Sequence, residues 1–398
     1  MKRRTLLAGL AGASALPMLG APSIAQAAGV KIGLITTQSG PNAGVGRELV
    51  DGFNLGLRHA GGRLGGAATE LVVGDDQFRP DAGKAMAERM VQRDRVDIVT
   101  GIAFSNILLA LSDTVLRDRR GVFLINSNAG PSELAGRDCH PNFFSVSWQN
   151  DNTHEAMGQH MTSAGIRRAY IMAPNYPAGR DALTGFKRFF KGEIVAEVYT
   201  QLGQTDYAAE LATLRAARPD ATYIFMPGGM GVAYIRQYAG LGLMQTIPLF
   251  APSFSADQTI LPGVGEAAIG MFASTFWSES LGNPQNERFV RDFESSFNRI
   301  PSPYAAQSYD TAMLIDSALK ATNGSIADKN AFRNAVRAAN FNSVRGPFKF
   351  NANHFPIQNY YLTQIGRDER GRIVNQMRGI IFSGHGDAYA AQCRMRNA

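Results

Sequence analysis

VKIGLITTQSGPN, residues 30–42, decides the fold. Its first part, Val30–Thr36, is an apolar run of strand length, with β-branched residues at Val30, Ile32, Ile35 and Thr36. Such a continuous run reads as a strand buried on both faces of a parallel sheet. The turn that follows, Thr37-Gln38-Ser39-Gly40-Pro41-Asn42, is not GxGxxG. The strand therefore opens an α/β sheet without the glycine fingerprint of a dinucleotide site.

The unit repeats outward from this strand. A helix is expected from about Gly46 to Ala60, with Leu49, Phe53, Leu57 and Ala60 on one face. Glu70–Val73, Asp97–Thr100 and Val122–Asn126 read as strands, with helices Asp81–Arg93 and Asn106–Arg119 between them. Ala129–Ser147 reads as a linker, and a second series then begins. Its strands are Ala169–Ala173, Ile194–Tyr199, Tyr223–Met226 and Pro248–Ala251; its helices are Asp151–Ser163, Asp181–Phe190, Tyr207–Arg218 and Val232–Leu241. The alternation predicts two Rossmann-like, doubly wound α/β lobes. After Phe276 come the helices Glu287–Asn298, Tyr304–Ala321 and Lys329–Ala339, then strand-like pieces at Phe348–Phe350 and Tyr360–Ile365. Helices arriving after two complete sheets imply a return to the first lobe. Lobe 1 is expected to hold 28–147 and about 277–354, and lobe 2 to hold 148–276 and about 355–398, joined by a multi-strand hinge.

The N-terminus carries Lys2, Arg3 and Arg4, an apolar stretch Leu6–Leu19, and Ala25-Gln26-Ala27. This order describes an export signal over residues 1–27, too short to span a bilayer. Arg3-Arg4 before Thr5-Leu6-Leu7 resembles a twin-arginine signal. The expected location is the periplasm. The net charge of +7 is spread along the chain without a lysine-arginine block, which argues against a nucleic-acid partner. The two cysteines, Cys139 and Cys393, invite one disulfide in an oxidising compartment; two separate thiols are the alternative.

Catalytic constellations are scarce. The six histidines are scattered, and His154-Glu155 lacks the second histidine that HExxH places at i+4. His154 and His160 read as exposed helix residues. GxSxG and GxxxxGK[ST] are absent. No enzyme activity, metal or cofactor is expected. What remains are loops at the carboxyl ends of strands, where open α/β sheets bind ligands. These are Thr37–Gly46, Gly101–Asn106, Asn126–Glu133, Pro174–Gly179, Pro227–Gly231 and Pro252–Asp257. Ser105 stands where an apolar helix begins. Its hydroxyl and the unpaired N–H groups around it suit a carboxylate; a helix cap is the other reading.

The order and spacing of VKIGLITTQSGP (30–41), Asp75-Asp76, Gly101–Ser112, NSNAGPSEL (126–134), FFSVSWQNDN (143–152), YPAGRDALTG (176–185) and Tyr309-Asp310 resemble the type I periplasmic solute-binding proteins of ABC transporters, the leucine/isoleucine/valine-binding family. The resemblance implies two lobes, three crossovers and a ligand enclosed at the hinge. It implies that Ser105 holds a ligand carboxylate, helped by backbone groups of Asn128–Gly130, and that the partner is an ABC permease served by a monomer. Where amino-acid binders place an acid for the ligand ammonium, this chain has Ser253 or Phe254. Expected tyrosines are replaced by Ala178, with Tyr176 nearby, and by Met230. A buried ammonium without a carboxylate costs on the order of a few kcal/mol. Phe104, Trp148, Tyr176, Met230 and Phe254 would make the pocket aromatic, so an aromatic or apolar acid is expected. A branched-chain amino acid, or a sensing role for the same fold, is the alternative. Trp148 and Phe254 read equally well as packing, Met230 as a gap filler. Asp257 reads as a helix N-cap or, failing that, as an ammonium partner.

Overall fold

The computed structural model describes residues 29–395. The export signal over residues 1–27 lies outside them. Two sheets organise the chain. The first contains β1 (Val30–Thr36), β2 (Thr69–Asp75), β3 (Ile98–Thr100), β4 (Phe123–Asn126) and β5 (Phe143–Ser145), in the order β2-β1-β3-β4-β5 and parallel throughout. The second contains β6 (Arg168–Pro174), β7 (Glu193–Thr200), β8 (Ala221–Ile224), β9 (Leu249–Pro252), β10 (Phe272–Thr275), β11 (Lys349–Phe350) and β12 (Pro356–Arg367). Its order is β11-β12-β10-β9-β8-β6-β7, and β13 (Ile373–His385) pairs with β12. This is the two-lobed α/β fold expected from the alternation of strands and helices.

Two readings are corrected. The stretch taken as linker contains β5, whose Phe143–Ser145 completes the first sheet beside β4. The piece read as Tyr360–Ile365 is the middle of a long antiparallel hairpin, β12–β13. Its residues alternate between buried and open faces, so the apolar signal is diluted.

Helices late in the chain lie on the first sheet's layer. Helix Pro303–Ala321 lies against helix Ala43–His59 so closely that a Cβ on Gly52 would stand 2.2 Å from the Ala305 carbonyl oxygen. Phe53, Ile315 and Phe332 join Ile32, Leu34 and Phe123 in one buried cluster. Burial of such side chains contributes roughly 1.5–3 kcal/mol each.

The chain passes between the layers after β5, after β10 and between helix Lys329–Ala338 and the β11–β12 pair. A buried ion pair pins two of these passages: Arg345 Nε donates to Asp310 Oδ2 (2.8 Å), while its Nη1 donates to the Ser147 carbonyl and to Gln358 Oε1, both at 2.9 Å. A charge pair this deep needs its extra hydrogen bonds to offset desolvation. Cys139 and Cys393 are joined by a disulfide with their Cα atoms 5.6 Å apart. It ties the tail after β13 to the loop before β5. No helix among the described residues is long and apolar enough to cross a membrane.

Candidate ligand-binding site

A cavity lies between the two layers, at the carboxyl ends of the strands. It is narrow, with about 310 Å³ of space between atoms, part of it open to solvent. From the first sheet's side come Val45, Ala103, Phe104, Ser105, Asn128 and Ala129; Trp148 and Asn150 line it from the first passage. Tyr176, Ala178, Phe225, Pro227, Phe254 and Tyr304 complete it. None of these side chains is charged.

Ser105 is the first residue of helix Ser105–Leu116, and Phe104 occupies the N-cap position. The capping reading is therefore set aside: no side-chain cap bond forms, and Ser105 Oγ accepts instead from Asn150 Nδ2 (3.1 Å). The first N–H groups of a helix have no carbonyl four residues back, and the helix dipole favours negative charge there. A carboxylate is thus the ligand group this end of the cavity suits, without a cationic side chain.

Asn128 lies beside it, but its amide is already engaged. Nδ2 donates to the Ala103 carbonyl (2.6 Å) and Oδ1 accepts from Gln307. Its carbonyl receives the Trp148 indole N–H (3.1 Å). The Gly130 N–H donates to Asn150 Oδ1 (3.1 Å), and Gly130 does not line the cavity. A Cβ there would meet the Trp148 carbonyl oxygen at 2.1 Å, so glycine allows two loop segments to approach closely.

The far wall is aromatic. The Trp148 ring lies over Phe254, with centroids 4.3 Å apart, and Phe254 meets Tyr304 at 5.2 Å. Phe104 stands edge-on to Phe78. The hydroxyls of Tyr176 and Tyr304 make no hydrogen bond among the described residues. Burial holds both phenols above their ordinary range, so each stays protonated.

Besides Gly130, two residues expected at the site, Met230 and Ser253, stand elsewhere. Met230 packs in the core of the second layer, where its sulfur accepts the Gly203 N–H (3.2 Å). Ser253 and Asp257 line a smaller separate cavity at the hinge, with Glu279 and Trp277. Asp257 does not cap a helix. Its Oδ1 accepts from the Thr259 N–H and hydroxyl, and burial raises its carboxyl to about 7. The short tight turn at Ser253–Ser255 sends Phe254 to one side and Ser253 to the other.

His154 corrects the reading of an exposed helix. It is fully buried, bonds the Tyr223 hydroxyl, and packs behind Phe225 with centroids 4.9 Å apart. Burial lowers it to about 3. His160 is half-buried, near Phe250 and Phe272. Asn150, Phe225 and Tyr304 line the cavity but were not singled out from the sequence. Phe225 lies next to the loop Pro227–Gly231 and Tyr304 opens the helix with Tyr309-Asp310, so position relative to those segments was the available signal.

Two α/β lobes with a cavity between them, at the carboxyl ends of their strands, are the architecture of a periplasmic binding protein. The chain matches the periplasmic binding protein family over residues 29–371 and belongs to it. It resembles a solute-binding protein of an ABC transporter from R. palustris, solved with benzoate, at 30% identity and a TM-score of 0.86, covering 92% of this chain and all of that one. A second such protein, from Rhodopseudomonas palustris BisB5 with 3,4-dihydroxybenzoic acid, is 27% identical with a TM-score of 0.82, covering 90% and 98%. A Leu/Ile/Val-binding protein homolog 6 from Brucella melitensis is 26% identical over 366 residues, 89% of this chain and 92% of that one.

Proposed function

We propose that this chain is the substrate-capturing receptor of an ABC importer and that its ligand is a small carboxylate with an aromatic or apolar body. The observation that carries this is the composition of the cavity: Ser105 at a helix N-terminus faces a space lined by Trp148, Tyr176, Phe225 and Phe254, with no acidic side chain lining it. An α-amino acid would bring an ammonium there with no carboxylate to meet it. The solved relatives with benzoate and 3,4-dihydroxybenzoic acid support the same ligand class. The chain works as a periplasmic monomer, exported by the signal over residues 1–27, and hands its closed form to a membrane permease.

A thermal-shift screen tests the reading. Benzoate and hydroxybenzoates are expected to raise the melting temperature, because a ligand selective for the folded state adds RT ln(1 + [L]/Kd), about 2.7 kcal/mol at a hundredfold excess over Kd. Leucine and valine are expected to leave it unchanged. A shift with leucine and none with any plain acid would return the chain to the amino-acid binders.

A further inference from the structure

Asn150 lies on the segment that leaves β5 for the second layer. Its side chain forms three bonds. Oδ1 accepts the Gly130 N–H (3.1 Å), and Nδ2 donates both to Ser105 Oγ (3.1 Å) and to Asp181 Oδ2 (2.9 Å). Its backbone N–H also donates to the Gly130 carbonyl (2.8 Å). The amide orientation follows from this pattern: a flipped group would set NH₂ against the Gly130 N–H and oxygen against the Asp181 carboxylate.

Asp181 belongs to helix Pro177–Phe189, which packs on the second layer. It is buried, and it also accepts the N–H (3.1 Å) and hydroxyl (2.8 Å) of Ser132, which stands between β4 and β5 on the first layer. One amide therefore joins the serine at the ligand to a carboxylate carried by the opposite lobe. A hydroxyl that accepts from an amide N–H retains its own proton for a different acceptor.

We propose that Asn150 is a positioning residue: it holds Ser105 Oγ as an acceptor, so that the Ser105 O–H is aimed at the ligand carboxylate, and Asp181 locks this arrangement when the two lobes meet. The inference rests on the reading of the cavity as a carboxylate site. Closure and carboxylate recognition then share the same three side chains. Parting the lobes takes Asp181 from Ser132.

The test is a double-mutant cycle on the full mature chain, with benzoate affinity read by calorimetry. Asn150→Ala is expected to weaken benzoate roughly tenfold, the loss of about one hydrogen bond to the site. Ser105→Ala with Asn150→Ala is expected to bind within about twofold of Ser105→Ala alone, because Asn150 acts through Ser105. Independent, additive losses overturn the proposal. Asp181→Asn, which keeps the shape of the side chain, replaces Asn150→Ala in the cycle if that variant does not fold, and the same non-additivity is expected. A second arm needs no ligand: crystal structures of the wild type and of Asn150→Ala are expected to show Ser105 in different rotamers, and an unchanged Ser105 overturns the proposal. Wild-type affinity in Ser105→Ala would instead sink the carboxylate reading of the cavity, leaving the crystallographic arm to judge the positioning.

Discussion

The two walls of the cavity are built by opposite means. The wall of Ser105, Asn128 and Asn150 is a polar lattice in which both asparagine amides are engaged by named partners. The wall of Tyr176, Ala178, Phe225 and Phe254 is held by ring packing, and its phenol at Tyr176 has no partner among the described residues. Hydrogen bonds fix position to within tenths of an ångström, whereas packed rings fix volume. On the proposed function, the difference teaches that the first wall would select a charge type and the second a shape. Exchanging residues on the second wall should change the ligand's body without moving its carboxylate.

The sharpest way to break this comparison is Ser105→Ala. Benzoate affinity is expected to fall roughly 10- to 100-fold, since hydrogen bonds to charged groups contribute about 1.5–3 kcal/mol. The ligand-free melting temperature should hardly move. Calorimetry beside a melt separates the two effects. On the other wall, Ala178→Leu adds bulk to a cavity that is already narrow. Overpacking costs about 1–3 kcal/mol, so benzoate should weaken about tenfold while propionate, with no ring, loses less. Equal losses for both acids would mean that this wall does not read shape.

The aromatic wall also has a protonation cost behind it. His154 sits against Trp148 and Phe225, and its folded value of about 3 lies below the unfolded value near 6.5. Between those values the unfolded chain binds the proton and the folded chain does not. The contribution is present above pH about 6.5 and is lost as pH falls toward 3, by at most about 1.4 kcal/mol per unit. His154→Leu is expected to flatten the loss of melting temperature between pH 7 and 5. The smallest expected effect on binding is that of Asp257→Asn, under about twofold for benzoate, because Asp257 lines the hinge cavity. Stability behaves differently there. Burial raises its folded value to about 7, so the native state is disfavoured as pH climbs from about 4 to 7. The variant should be more stable than the wild type at pH 8 and equal to it near pH 4.

Most of the scaffold was legible because burial on both faces writes itself as apolar runs. Val30–Thr36 coincides with β1 residue for residue. β5 escaped because three residues are too few to show a period, and they sit among serines and asparagines. β13 escaped because its sequence mixes Asn375, Gln376, Arg378 and Gly379 with apolar residues on a face open to solvent. At the site, loop position pointed to Ser105, Phe104, Tyr176 and Phe254, all of which line the cavity. Ser253 was misplaced by one side of a turn and Met230 by the face of helix Gly229–Gly240 that carries it, matters of backbone direction that residue type does not record. Asn150 and Asp181 matter through each other, across 31 positions of sequence, and only folding brings them together.

The bond between Cys139 and Cys393 closes a covalent ring that runs through the whole second sheet and every passage between the layers. One protease cut anywhere inside that ring leaves a single molecule on a non-reducing gel. Two fragments come apart only once a thiol reductant has opened the ring.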